Sequence, residues 1–291
     1  MFFLNAIIYF YMKAIGVASD MAARDKGAAL GVWDIFYNQG IKLDWQNVFF
    51  AKSNKAQLKI LPELLKLNTN VAIAAKKLIE QNNKGLFFSG DHSGAVGIWS
   101  GVAEAKRKDG DIGLIWIDAH LDSHTPESSH SKNIHGMPAA FLMGQGNCEM
   151  SKILSDYPKI KPQNICFVGI RSYQKEEQDL LNKLGCKIFY IEDVQKNGIA
   201  NILTQAHKIV TQNTIGFGVS IDIDAFDPSI APGTGYIENG GLIFDQDFSD
   251  TLKQITNDNN FLGAEISEYL SANDKNDKTI NLIKSIISAV V

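Results

Sequence analysis

Cysteine is scarce in this sequence: three residues in 291, at positions 148, 166 and 186. An odd, widely spaced set with no C-x-x-C pair argues against a disulfide framework and against a thiolate metal or redox motif. Cys166 and Cys186 stand in the apolar runs NICFVGI and GCKIFYIE and read as buried thiols in a reducing compartment. None of the three lies beside a histidine in sequence, which argues against a catalytic cysteine. An apolar run of about 20 residues, the length needed to cross a bilayer, is also missing. The opening MFFLNAIIYFYM is too short for that and lacks the positive leader of a signal peptide. It reads as an extension of residues 1–12, or a displaced start, ahead of a natural beginning at Met12-Lys13. The expected location is the cytoplasm. A net charge of -4 and a pI near 5.9 leave no electrostatic footprint for nucleic acid. No block of like charge marks an interaction tail. With no linker, repeat or low-complexity stretch, one domain over residues 1–291 is expected.

What the chain has is apolar residues, 45% of the total, enough to bury a large core. Short β-branched or aromatic runs at 14–19, 85–90, 112–118, 164–170, 187–192, 216–222 and 261–267 read as strands. Helical periodicity marks 61–83, 94–107, 175–184, 193–212, 246–256 and 277–290. Strands that are apolar on both faces and alternate with helices predict a three-layer α/β/α fold around a mostly parallel central sheet. Such sheets carry their chemistry beyond the carboxyl ends of the strands.

Three strand ends there are rich in metal-ligating residue types. Asp91-His92-Ser93 follows GLFFSG; Asp118, His120 and Asp122 follow IGLIWI; Asp222, Asp224 and Asp227 follow GFGVSI. Side chains two apart on extended chain share a side, so Asp118, His120 and Asp122 can converge, as can Asp222 and Asp224. With His92 they make six candidate ligands, four carboxylates and two imidazoles, whose charges would repel strongly without cations between them. Two divalent ions bridged by two carboxylates meet that need, and an oxygen-rich set without thiolate favours manganese over zinc. The stretch from Asp118 to Gly136 holds four of the six histidines. His120 falls in the ligand row, whereas His130 reads as a loop residue. Outside the stretch, His207 reads as surface, and Trp33, Trp45, Trp99 and Trp116 as core or half-buried packing residues.

Together GDHS (90–93), DAHLD (118–122) and SIDIDAFDP (220–228) resemble the motifs of the arginase (ureohydrolase) family, over about residues 14–290. KNIHGMPAAFL (132–142), VGIRS (168–172), ENGGLIF (238–244) and EISEY (265–269) look closer to bacterial arginases of the Helicobacter type than to animal ones. The resemblance implies an arginase-like fold, two Mn²⁺ per subunit (Co²⁺ as the alternative) and a homo-oligomer. It assigns His92 and Asp122 to one ion, His120 and Asp224 to the other, and Asp118 and Asp222 to both. His135 matches a proton shuttle, Glu268 the carboxylate that pairs with the substrate guanidinium, and Asp227 a carboxylate behind the ligands. Asp122 would also orient the water that the metals activate as hydroxide. The implied reaction is hydrolysis of L-arginine to urea and L-ornithine.

The resemblance thins where the substrate's far end would lie. His124 replaces an asparagine that in animal arginases helps bind the α-carboxylate. Ser131 matches a carboxylate-binding serine, but Lys132 replaces a glycine. Glu177 alone matches an acidic position in Arg171-Ser172-Tyr173-Gln174-Lys175-Glu176-Glu177, and Arg-Ser also occurs in agmatinases and formiminoglutamases. Tyr236 stands where a small hydroxyl residue is commoner, and EISEYLS departs from the family's E-x-N-P ending. The alternative reading is therefore a hydrolase of agmatine, guanidinobutyrate or formiminoglutamate. Single-zinc deacetylases of this fold need fewer carboxylates, and the full ligand set argues against an inactive binding protein.

Overall fold

The structure, a computed structural model, describes residues 12–24, 26–38, 40–146 and 148–291. The proposed extension, apart from Met12, lies outside the described residues. Eight strands form one sheet: β1 (Met12–Ala18), β2 (Asp44–Phe50), β3 (Lys84–Ser89), β4 (Ile112–Ile117), β5 (Ile165–Ile170), β6 (Lys187–Tyr190), β7 (Gly216–Asp222) and β8 (Phe261–Ser267). Their order is β2-β1-β3-β8-β7-β4-β5-β6, and every pairing is parallel.

The helices are α1 (Ala28–Tyr37), α2 (Leu61–Glu80), α3 (Gly94–Lys106), α4 (Pro138–Leu142), α5 (Lys175–Leu184), α6 (Ile191–Asn197), α7 (Ile199–Thr211), α8 (Gln246–Thr256) and α9 (Lys278–Val290). Alternate strand residues feed two separate apolar layers, as the two-residue period requires. On β4, Ile112, Leu114 and Trp116 join Leu64, Val71, Trp99 and Phe141 from α2, α3 and α4. Ile115 and Ile117 face the other way, toward Leu203, Val210, Leu252 and Ile283 from α7, α8 and α9. The result is the three-layer arrangement expected.

Several local expectations need correction. β2 and α1 carry no strand or helix assignment from the sequence. β2 is an edge strand with little full burial, so DWQNVFF lacks the continuous apolar run of its neighbours. The helix expected over 193–212 is two helices broken at Gly198, whose φ of 79° is open to glycine at little cost. The strand expected to reach residue 192 stops at Tyr190, because Ile191 opens α6. Cys186 is half-buried rather than buried, although burial still pushes its thiol up to about 12. His207 is not a free surface residue: it packs edge-on against Phe217 and sits 3.2 Å from Asp258.

Neighbours β3, β8, β7 and β4 form the middle of the sheet. β3 and β4, adjacent in sequence, are held apart there by the late strands β7 and β8. This change of strand order opens a crevice at the carboxyl edge.

Candidate metal centre and substrate cavity

β3 delivers His92, β4 leads into Asp118, His120 and Asp122, and β7 ends on Asp222 with Asp224 beyond it. The His92 Nδ1 atom lies 3.3 Å from Asp118 Oδ2, 3.1 Å from Asp122 Oδ2 and 3.0 Å from Asp222 Oδ2. His120 Nδ1 lies 3.5 Å from Asp118 Oδ1 and 3.1 Å from Asp224 Oδ2. Two groups of ligand atoms thus share Asp118, which offers one oxygen to each: His92, Asp118 and Asp222, then Asp118, His120 and Asp224. Asp122 joins the first group through His92.

The donor set fits divalent metal. His92 Nδ1 is buried and makes no hydrogen bond, although three carboxylate oxygens surround it. Atoms aimed past one another at a common centre are arranged as ligands, not as hydrogen-bonding pairs. The electrostatics agree. Burial and the Asp118 charge push Asp122 up to about 7. Burial, then the charges of Asp224 and Asp118, push Asp222 well above the carboxylate range. Burial opposes ionisation of Asp118 too, but its contacts with His120 and His92 hold it well below that range. Protons on some of these groups supply the positive charge that divalent cations would supply better.

At the mouth, His135 Nδ1 is 3.0 Å from Glu268 Oε1, and the His92 backbone N–H donates to the same oxygen at 2.9 Å. Burial works against both charges, yet the contact raises His135 and lowers Glu268. Asp122 and Glu268 hold left-handed backbone, φ 47° and 62°. Such conformations cost about 1–3 kcal/mol each and persist where the surroundings impose them.

A cavity of about 810 Å³ opens over this cluster and reaches His124, His130, Ser131, Glu177, Tyr236 and Glu238. The expected residues for the substrate's far end therefore border it, though several have other partners. His124 faces Ser128 Oγ at 3.1 Å and Glu177 Oε2 at 3.4 Å. Glu177 also accepts from the Ser123 and Gln174 backbone and caps α5. Ser131 Oγ accepts from the Asn133 N–H at 3.2 Å. Lys132 turns its amine back onto the carbonyl oxygens of Pro126 and Glu127. His130 is an exposed loop residue 3.3 Å from Glu176. Asp227 accepts from Ser229, Gly240 and Gly241, which anchors the loop carrying Glu238.

Sequence reasoning gave no role to Glu238. Its Oε1 accepts from Ser172 Oγ at 2.9 Å and lies 3.7 Å from His120 Nε2. Within a Gly-rich segment it reads as turn, and only folding brings it to the ligands. Asp91 was seen only as a neighbour of His92. It is buried, accepts from the Ala22 N–H at 2.8 Å, and is pushed up to about 6 by burial and Glu268. Arg24 and Lys26, from the loop after β1, also line the cavity and carried no signal.

Comparison with known proteins accords with this geometry. The family model described as Arginase family matches residues 12–291. An arginase from Brevibacillus brevis is 28% identical over 293 residues, covering 96% of this chain and 97% of that protein. The crystal structure of arginase from Bacillus subtilis superposes with a TM-score of 0.85 at 26% identity, covering 97% of this chain and 98% of the other. Helicobacter pylori arginase matches at TM-score 0.77 and 20% identity, over 96% and 99% of the two chains, a likeness of fold alone. The Bacillus enzyme is nearer on both measures. With that match running from β1 to the last residue, and with ligand-bearing strand ends meeting at one crevice, this chain belongs to the arginase family of C–N hydrolases.

Proposed function

We propose that the protein hydrolyses L-arginine to urea and L-ornithine at a pair of Mn²⁺ ions, with Co²⁺ as the alternative. The observation that carries this reading is the convergence of two imidazoles and the Asp118, Asp122, Asp222 and Asp224 carboxylates on two points sharing Asp118. His92 and Asp122 would hold one ion and His120 and Asp224 the other, with Asp118 and Asp222 serving both. The bound ions supply a water acidic enough to act as nucleophile near neutral pH, which a resonance-stabilised guanidinium requires.

The chain's own groups do the rest. Glu268, held ionised by His135 and fixed by the His92 N–H, is placed to pair with the planar substrate cation. His135, raised toward protonation by Glu268, is placed to give a proton to the leaving amine. Asp122 orients the attacking water. His124, Ser131 and Glu177 border the far end, where they would meet the α-amino and carboxylate groups. Asp227 acts from behind by holding the Glu238 loop. The expected setting is a cytoplasmic homo-oligomer. No helix among the described residues is long and apolar enough to cross a membrane.

A second reading has its own observation. His124 and Glu177 are engaged with each other, and Glu238 adds a carboxylate where Ser172 meets the cavity. That arrangement would suit agmatine, guanidinobutyrate or formiminoglutamate. The deciding assay follows product release from these compounds and from L-arginine after Mn²⁺ loading. Urea and ornithine from arginine at the highest kcat/KM support the first reading; inactivity on arginine with turnover of agmatine overturns it.

A further inference from the structure

Glu265 is a fully buried carboxylate that neither the ligand cluster nor the substrate cavity accounts for. It sits on β8, in register with Ser220 on β7, which in turn faces Trp116 on β4. Three side chains donate to it. Ser89 Oγ reaches Oε1 at 2.7 Å, while Trp99 Nε1 and Ser220 Oγ reach Oε2 at 2.7 and 2.9 Å. A carboxylate buried in an apolar layer is costly, and a packing role alone does not call for one.

The proton inventory gives it a task. An indole N–H only donates, and a serine hydroxyl has a single proton. Ser220 spends that proton on Glu265, so it meets its other neighbour with a lone pair. That neighbour is His92 Nε2, 3.0 Å away. Nε2 must therefore carry the ring proton, which leaves Nδ1 with its lone pair directed at Asp118, Asp122 and Asp222. The Trp116 ring stacks on the imidazole at 4.2 Å and 14°, which fixes the plane in which Nδ1 points.

We infer that Glu265 is a positioning residue for the metal centre: acting through Ser220 Oγ, it holds His92 in the Nε2–H tautomer and presents Nδ1 as a ligand. This rests on the metal-dependent reading of the site. Partners behind metal-bound histidines orient the ring and raise its basicity, and losing one weakens metal binding about 10- to 100-fold.

The test is calorimetric titration of Mn²⁺ into chelator-stripped full-length protein, wild type beside Ser220→Ala and Glu265→Gln, with melting temperatures of the stripped proteins. The ion on the His120 side serves as internal reference. Ser220→Ala is expected to weaken one of two ions about 10- to 100-fold. Glu265→Gln should weaken the same ion less, because its amide oxygen still accepts from Ser220. Wild-type affinity at both ions in Ser220→Ala overturns the inference, as does a lower melting temperature with unchanged affinity. Should Ser220→Ala fail to fold, unchanged binding by Glu265→Gln overturns it. If the wild type itself binds no Mn²⁺, the metal reading falls and takes the inference with it.

Discussion

His135 and Glu268 make each other's charge states possible. Burial discourages both charges, and their 3.0 Å contact restores them. His135 is raised above its ordinary value of 6.5, so the stability it gains is complete below that value and is lost as pH climbs through the raised one. Glu268 is lowered from 4.5, so its share is present above 4.5 and is lost as pH falls through the lowered value. In metal-free protein, wild type should out-melt Glu268→Gln between these limits, with the gap narrowing toward alkaline and strongly acid pH. Thermal melts across pH would show it; a constant gap would contradict the pairing. If His135 relays the proton, His135→Asn should lower kcat about 10²- to 10⁴-fold while metal content stays at the wild-type level. Unchanged kcat would remove His135 from the mechanism.

At the scale of elements, the site depends on how closely α3 approaches α2. His92 and Ser93 lead directly into α3, and glycines at 97 and 101 carry that helix against its neighbour. A Cβ at Gly97 would stand 2.6 Å from the Asn68 carbonyl oxygen, and one at Gly101 2.2 Å from that of Ala72. Gly101→Ala should therefore destabilise the fold by about 1–3 kcal/mol, read as a shift in the urea midpoint. Wild-type stability would mean the helices separate freely. Much at this scale was legible in the sequence. Continuous apolar runs marked the buried strands, and two-residue spacing after β4 and β7 brought the ligand carboxylates together. What stayed hidden has a physical reason in each case. β2 lacks an apolar signal because it is an edge, Gly198 splits a helix whose periodicity continues through it, and Glu238 meets His120 only through the tertiary fold.

The molecule as a whole gathers carboxylates from distant parts of the chain into one buried cluster. Such a cluster stores repulsion that cations relieve, so stability should follow metal content. At free Mn²⁺ 100-fold above its dissociation constant, binding at one site adds about 2.7 kcal/mol. Melting temperature should accordingly fall on chelation and recover on adding Mn²⁺; a melt indifferent to chelator would show that metal does not stabilise the native state. The same scale contains the central claim, that this family member turns over arginine with two ions acting together. Its most direct test is stepwise addition of Mn²⁺ to stripped protein while urea release from L-arginine is followed. The account predicts activity that reaches its plateau at two ions per chain. A plateau at one ion, or no urea with two ions bound, would contradict it.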